Sequence, residues 1–251
     1  MTRIACQTIT FGEQQLMHNY PSVLQTVRDI GYDGVETKFA ALRQYQGQLP
    51  TLKAETGLQI VACHLGYPAV VDTLSGGETA QALEEVLEAS GAKFVLVSDT
   101  PHDDLDAYRT MGEQLTRFSE RVLDFNVKVL FHNHRREVEG DMTRLKTLVE
   151  YSAEDRVGLA VDFGWVLQAH GDPQAVVNQF RSRIHYVHLK DAREDGTWTE
   201  LGNGALAVDT VISAIRRLDL PWWTAEQDTT ETTAEASVRS NFRFLDALRQ
   251  A

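Results

Sequence analysis

The stretch KVLFHNHRREVE, residues 128–139, decides how the whole chain is read. Its first four residues make a short, β-prone apolar run, and the polar group HNHRREVE follows with no turn residue between. An apolar strand that empties directly into histidines and glutamates suits a helix-covered parallel sheet, whose strands carry chemistry at their C-terminal ends.

Seven further runs of the same kind lie on either side: IACQT (4–8), GVET (34–37), QIVACHL (59–65), KFVLVSD (93–99), VGLAVDF (157–163), IHYVHLK (184–190) and WWTAE (222–226). With KVLFHNH (128–134) they make eight candidate strands. Amphipathic, helix-like segments separate them, among them 21–32, 49–57, 78–90, 104–125, 141–152, 172–180 and 208–218, with a closing helix from about Ala234. Pro21 suits a first helical turn, Gly31 and Gly57 fall where helices should stop, and Asp172-Pro173 reads as an N-cap with proline behind it. Eight strand–helix units in 251 residues predict an α/β fold with one domain over residues 1–251, a single (β/α)8 TIM barrel.

Composition narrows the function. A chain that is 43% hydrophobic and 24% charged reads as globular, and this length buries a core without help from disulfides. The two cysteines, Cys6 and Cys63, have no metal-type spacing and are expected as buried, reduced thiols. A formal net charge of −12 with no basic stripe argues against a nucleic-acid partner. No signal-like leader or membrane-length apolar run stands out, so a cytoplasmic location is expected.

The strand ends are unusually polar. In order they offer Gln7, Glu36 with Lys38, His64, Ser98 with Asp99, His132 with His134, Asp162, His188 with Lys190, and Glu226. Buried polar groups are costly without partners, so this recurrence reads as a site. Asp162, His188 and Glu226 close the sixth, seventh and eighth strands, which are neighbours in a barrel. Two carboxylates and an imidazole converging from adjacent strands suit Mn²⁺, Mg²⁺, Co²⁺ or Zn²⁺. Taken singly, each has an ordinary fate: helix cap, ion-pair partner or core histidine.

VHLKD (187–191), preceded by VDFGW (161–165) and HGDP (170–173) and followed by LGNGALAVD (201–209), resembles the sugar phosphate isomerase/epimerase superfamily of xylose isomerase-like barrels. IACQTITFG and GYDGVET extend the likeness to the front of the chain. The resemblance implies one divalent ion, Mn²⁺ in first place, held by residues at the ends of strands five to eight; matched by motif, three of these are Asp162, His188 and Glu226. Many relatives end strand five on a glutamate, where this chain has His132. A branch with His-Asn-His carries a glutamate three residues later, as Glu137 is here. The fourth ligand is therefore Glu137 or His132, with Glu137 preferred because a carboxylate keeps the site oxygen-rich. Trp165, where other relatives place histidine, draws the chain toward the branch acting on inososes and keto-sugars.

The implied substrate is a small unphosphorylated sugar, keto-sugar or cyclitol, and the implied chemistry is enolisation through an enediolate, ending in isomerisation, epimerisation or β-elimination such as inosose dehydration. Glu137, Glu226 and His64 are the candidate bases, and Lys190 the candidate oxyanion partner or proton donor. His132, His134, Trp165 and Arg193 are candidate substrate contacts. Trp198, Phe11 and Tyr67 join Trp165 as aromatic surface for a ring. A subunit of a 3-keto-glycoside-cleaving assembly is the alternative, and a homo-oligomer or a hetero-subunit fits either reading. An endonuclease IV-like metal nuclease stands further off because of the net charge.

Overall fold

The computed structural model describes residues 2–99 and 104–250. Eight parallel strands close into a barrel: Arg3–Gln7, Gly34–Lys38, Gln59–Gly66, Phe94–Ser98, Lys128–His132, Val157–Asp162, Ile184–Leu189 and Trp222–Ala225, each paired with its sequence neighbours and the last with the first. The expected (β/α)8 fold is present, with each strand within about two residues of its predicted span. Register fixes which strand ends stand together: His132 pairs with Ala160, Asp162 with His188, and His188 with Thr224.

Strand alternation sorts side chains to two cores. Outward residues such as Ile4, Val35, Val95, Val129 and Leu159 pack under the helices in one large cluster. Inward residues Ala5, Val61, Ala62, Leu96, Leu130, Ala160, Tyr186 and Trp222 plug the bore in a second. The plug ends one layer below Glu36, His132 and His188, so these polar groups sit on an apolar floor.

Local signals behave as their chemistry dictates. The helix Tyr20–Ile30 carries Pro21 in its first turn and ends at left-handed Gly31, and Asp172 caps Pro173–Phe180 by accepting from Gln174 N at 2.9 Å. Cys6 and Cys63 are buried and free. Short helices at Glu13–His18, Phe39–Gln44, Tyr67–Leu74, Arg135–Val138 and Phe163–Gln168 line the C-terminal rim, where the sequence pattern gave only loops. No helix among the described residues is long and apolar enough to cross a membrane.

Candidate active site

At the barrel's C-terminal mouth, His132, Asp162, His188 and Glu226 each turn one donor atom inward, and these atoms lie within 4.8 Å of one another. All four residues are buried. His132 Nε2 lies 2.9 Å from His188 Nδ1, 3.6 Å from Asp162 Oδ2 and 3.8 Å from Glu226 Oε2. Glu226 Oε2 is 2.5 Å from His188 Nδ1.

Each member is aimed by a neighbour. Asp162 divides its work: Oδ1 caps the helix Phe163–Gln168 by accepting from Gly164 N at 2.9 Å, while Oδ2 faces the group. One carboxylate thus both caps a helix and faces the inward group. Asn133, the middle of His-Asn-His, ties strand five to strand six: its amide donates to Asp162 O at 3.2 Å and accepts from Asp162 N at 3.0 Å. Glu36 reaches in from the second strand and accepts at Oε2 from His188 Nε2 at 2.6 Å and at Oε1 from His64 Nδ1 at 2.8 Å. His64 Nε2 then meets Ser98 Oγ at 2.9 Å.

Lys190 supplies the counter-charge. Its ammonium is buried, 2.9 Å from Asp162 Oδ2, 3.2 Å from Glu226 Oε1 and 2.9 Å from Asp228 Oδ2. The rings of Trp165 and Trp198 stand over it, at 5.2 and 4.9 Å from Nζ to their centroids. Gly164 makes this approach feasible, because a β-carbon there would lie 2.5 Å from Lys190 Cβ. A two-residue antiparallel ladder, Asp191–Ala192 with Trp198–Thr199, brings Trp198 back over the site. The Asp191 carboxylate holds the next loop by accepting from the backbone N–H groups of Gly202, Gly204 and Leu206.

Protonation follows from these contacts. Burial raises the Glu36 carboxyl, but the charge of His188 and hydrogen bonds from His188 and His64 outweigh it and bring it to about 2. Burial alone depresses His188, but Glu36 and Glu226 on its two sides hold it well above the usual imidazole range. His132 goes the other way: burial pushes it down to about 4, against a rise from Asp162. Burial favours the neutral forms of Asp162 and Glu226, yet Lys190 beside them keeps both ionised. Asp228 is raised, by burial and then by repulsion from Glu226.

Glu137 and Arg193, offered as ligand or base and as substrate contact, stand elsewhere. Glu137 is buried in a capping box at the start of Arg135–Val138: Oε2 accepts from His134 N at 2.7 Å and Oε1 from the Tyr108 hydroxyl at 2.5 Å. It lies outside the inward-facing group, where His132 holds the fourth position. Arg193 is exposed, paired with Glu231 at 2.8 Å, and lines a separate surface groove beside Arg135 and His170. His64, His132, His134 and Glu226 share one cleft of about 160 Å³ with Ser98 and Asp228. Trp165 packs against His134 and Trp198 at its edge. Tyr67 belongs to the core, with its hydroxyl on Gln114, and Phe11 packs against the same core. Asp228 was missed; its place two residues beyond Glu226 was the signal.

A family profile described as xylose isomerase-like TIM barrel matches residues 24–248. The chain belongs to this family. An inosose dehydratase of Lacticaseibacillus casei is 23% identical in an alignment covering 86% of this chain and 85% of that one. A sugar phosphate isomerase/epimerase from Parabacteroides distasonis superposes with a TM-score of 0.80 at 16% identity, covering 98% of this chain and 94% of that one. A D-allulose 3-epimerase from Methylomonas sp. does so at 0.79 and 14%, covering 98% and 96%.

Proposed function

We propose that this xylose isomerase-like barrel is an enzyme of sugar metabolism that removes a proton beside the carbonyl of a keto-sugar or cyclitol. The observation that carries the reading is the buried group His132, Asp162, His188 and Glu226 at the end of the cleft. Asp162 Oδ2 and Glu226 Oε2 are buried with no aligned hydrogen-bond donor, although Lys190 and His188 press close. Buried carboxylate oxygens left in that state, facing two imidazole nitrogens, fit a divalent cation. We assign it to His132, Asp162, His188 and Glu226; when bound it supplies Lewis-acid polarisation of a substrate carbonyl.

The chain's own groups do the rest. His64 lies on the cleft wall with both nitrogens engaged, Nδ1 on Glu36 and Nε2 on Ser98, and we assign it, with Glu226, to moving the proton. Lys190 keeps a fixed positive charge beside the carboxylates, opposite the oxyanion that enolisation creates. His134 and Trp165 border the cleft where a sugar ring would lie. Glu137, with Oε2 on the His134 amide and Oε1 on the Tyr108 hydroxyl, is left to scaffolding, and Arg193 to the outer rim.

The inosose dehydratase similarity runs along most of the chain, which makes loss of a β-hydroxyl the first outcome to examine and epimerisation the second. Turnover of inososes, ketohexoses and 3-keto-glycosides in D2O with a divalent ion, followed by NMR, tests the reading. Deuterium entering at the carbon beside the carbonyl is the expected result. A folded, ion-loaded protein that exchanges no such proton on any of the three classes would falsify it.

A further inference from the structure

The resemblance put Mn²⁺ first and preferred Glu137 to His132 as fourth donor, whereas the inward-facing group contains the His132 imidazole and not the Glu137 carboxylate. We propose that His132 tunes this centre toward borderline, nitrogen-accepting ions of the Zn²⁺ and Co²⁺ kind and away from Mg²⁺ and Mn²⁺. The inference rests on the reading above that these four residues hold a divalent ion.

Three features carry it. The first is the donor count, two imidazole nitrogens against two carboxylates, all facing one point. Carboxylate, carbonyl and water ligands suit Mg²⁺ and Mn²⁺, whereas imidazole suits the later metals. Mg²⁺ also keeps its waters reluctantly shed, in near-ideal octahedral geometry. Here the donor atoms are buried and packed together, and two of the four are imidazole nitrogens.

The second is charge. A hard cation is bound chiefly by the negative charge of its ligands. The two carboxylates of this group already face the Lys190 ammonium, at 2.9 Å for Asp162 and 3.2 Å for Glu226. That contact reduces the Coulombic pull of the carboxylates on any added ion.

The third is orientation. Glu36 engages His188 Nε2, which leaves Nδ1 as the nitrogen presented to the group. His132 aims Nε2 at the same point, and its Nδ1 is buried without a hydrogen-bond partner among the described residues. His188 is thus held with one nitrogen inward before any ion arrives, by the outer hydrogen bond that ligating histidines use, while His132 is turned the same way by the packing around its buried ring.

Zn²⁺ outbinds Mn²⁺ at most protein sites, so the wild-type preference alone decides nothing. The decisive quantity is how the ratio of Co²⁺ to Mn²⁺ affinity changes between wild type and His132→Glu. Metal-free protein would be dialysed against each ion singly and against mixtures, with bound metal measured by mass spectrometry. Circular dichroism confirms that each variant is folded, and His132→Gln serves as a second variant of similar size should His132→Glu not fold. The Co²⁺ form would also be examined by NMR for exchangeable imidazole protons shifted by the metal. A Co²⁺:Mn²⁺ ratio that falls at least tenfold in His132→Glu, with two shifted imidazole N–H signals in wild type and one in either variant, is the expected result. Metal retained with an unchanged ratio, or a single shifted signal in wild type, overturns the role of His132 and leaves the metal reading standing. Wild type that retains none of the ions overturns both.

Discussion

Asn133 and Asp162 grip each other in both directions across strands five and six, side-chain amide to backbone, with donor–acceptor distances of 3.2 and 3.0 Å. The splint sets the spacing between His132, one residue before Asn133, and the Asp162 carboxylate. Asn133→Ala strips partners from a buried N–H and a buried C=O. A loss of about 2–6 kcal/mol of stability is expected, since each of the two abandoned groups costs roughly 1–3 kcal/mol. Urea unfolding measures this, and divalent-ion retention should weaken with it. A stability change under about 0.5 kcal/mol would show the splint to be dispensable.

Lys190→Met should behave as a variant that has exchanged one cation for another. Without the ammonium, Asp162, Glu226 and Asp228 face one another with no lysine between them. Breaking a buried pair from one side costs about 3–5 kcal/mol. An added divalent ion should recover more of that loss than it adds to wild type. Thermal melts with and without Co²⁺ give the comparison, and an equal ion-induced rise in both proteins would contradict it.

Glu137→Gln separates scaffold from ligand. The capping-box position predicts a stability loss of about 1–3 kcal/mol, as a carboxylate accepting from His134 N and Tyr108 becomes an amide. Bound metal should stay within twofold of wild type. Loss of metal from a protein of unchanged stability would return Glu137 to the ligand set.

Acid should weaken the fold partly through His185. Burial, then the charges of Lys128 and Arg183, hold this imidazole down at about 4. The unfolded chain takes up the proton near the usual 6.5, while the folded chain resists it until about 4. The contribution is therefore complete above pH 6.5 and is lost as pH falls through that interval toward 4. Because the ring is only half-buried, screening leaves roughly 1–2 kcal/mol of the full linkage value. Urea midpoints at pH 7 and pH 5 for wild type and His185→Gln measure it, with the smaller pH difference expected in the variant. Equal differences would remove His185 from the account.

The barrel was legible because strands buried on both faces must be apolar along their length, so runs such as VGLAVD and KFVLVS cannot easily be anything else. The same logic exposed Asp162, His188, Lys190 and Glu226, since a polar residue ending such a run needs a reason. What escaped depended on contacts between distant parts of the chain. Nothing in the spacing of Glu36 announces that it reaches both His64 and His188, 28 and 152 residues away. Motif position offered Glu137 as a ligand, and spacing alone could not show that the helix starting at Arg135 turns its carboxylate back onto the His134 amide. Asn133 lay between two histidines that drew the chemistry, yet its amide fits only because strands five and six are in register. The short rim helices were invisible for a plainer reason: four to eight residues carry too little periodicity to distinguish from a loop.

Glu36 has one more consequence, and it concerns assembly in time. The four inward donors come from the second half of the chain, whereas the carboxylate that steadies His188 comes from the first. A ribosome-bound half-barrel would carry Glu36 with only His64 to meet it, and an isolated C-terminal half would carry His188 without its anchor. A buried charge lacking its partner is expensive, so neither half gains by closing early around its share of the site. The polar ring thereby works as a clasp, fastening only when the strand Trp222–Ala225 reaches Arg3–Gln7 and the circle is complete.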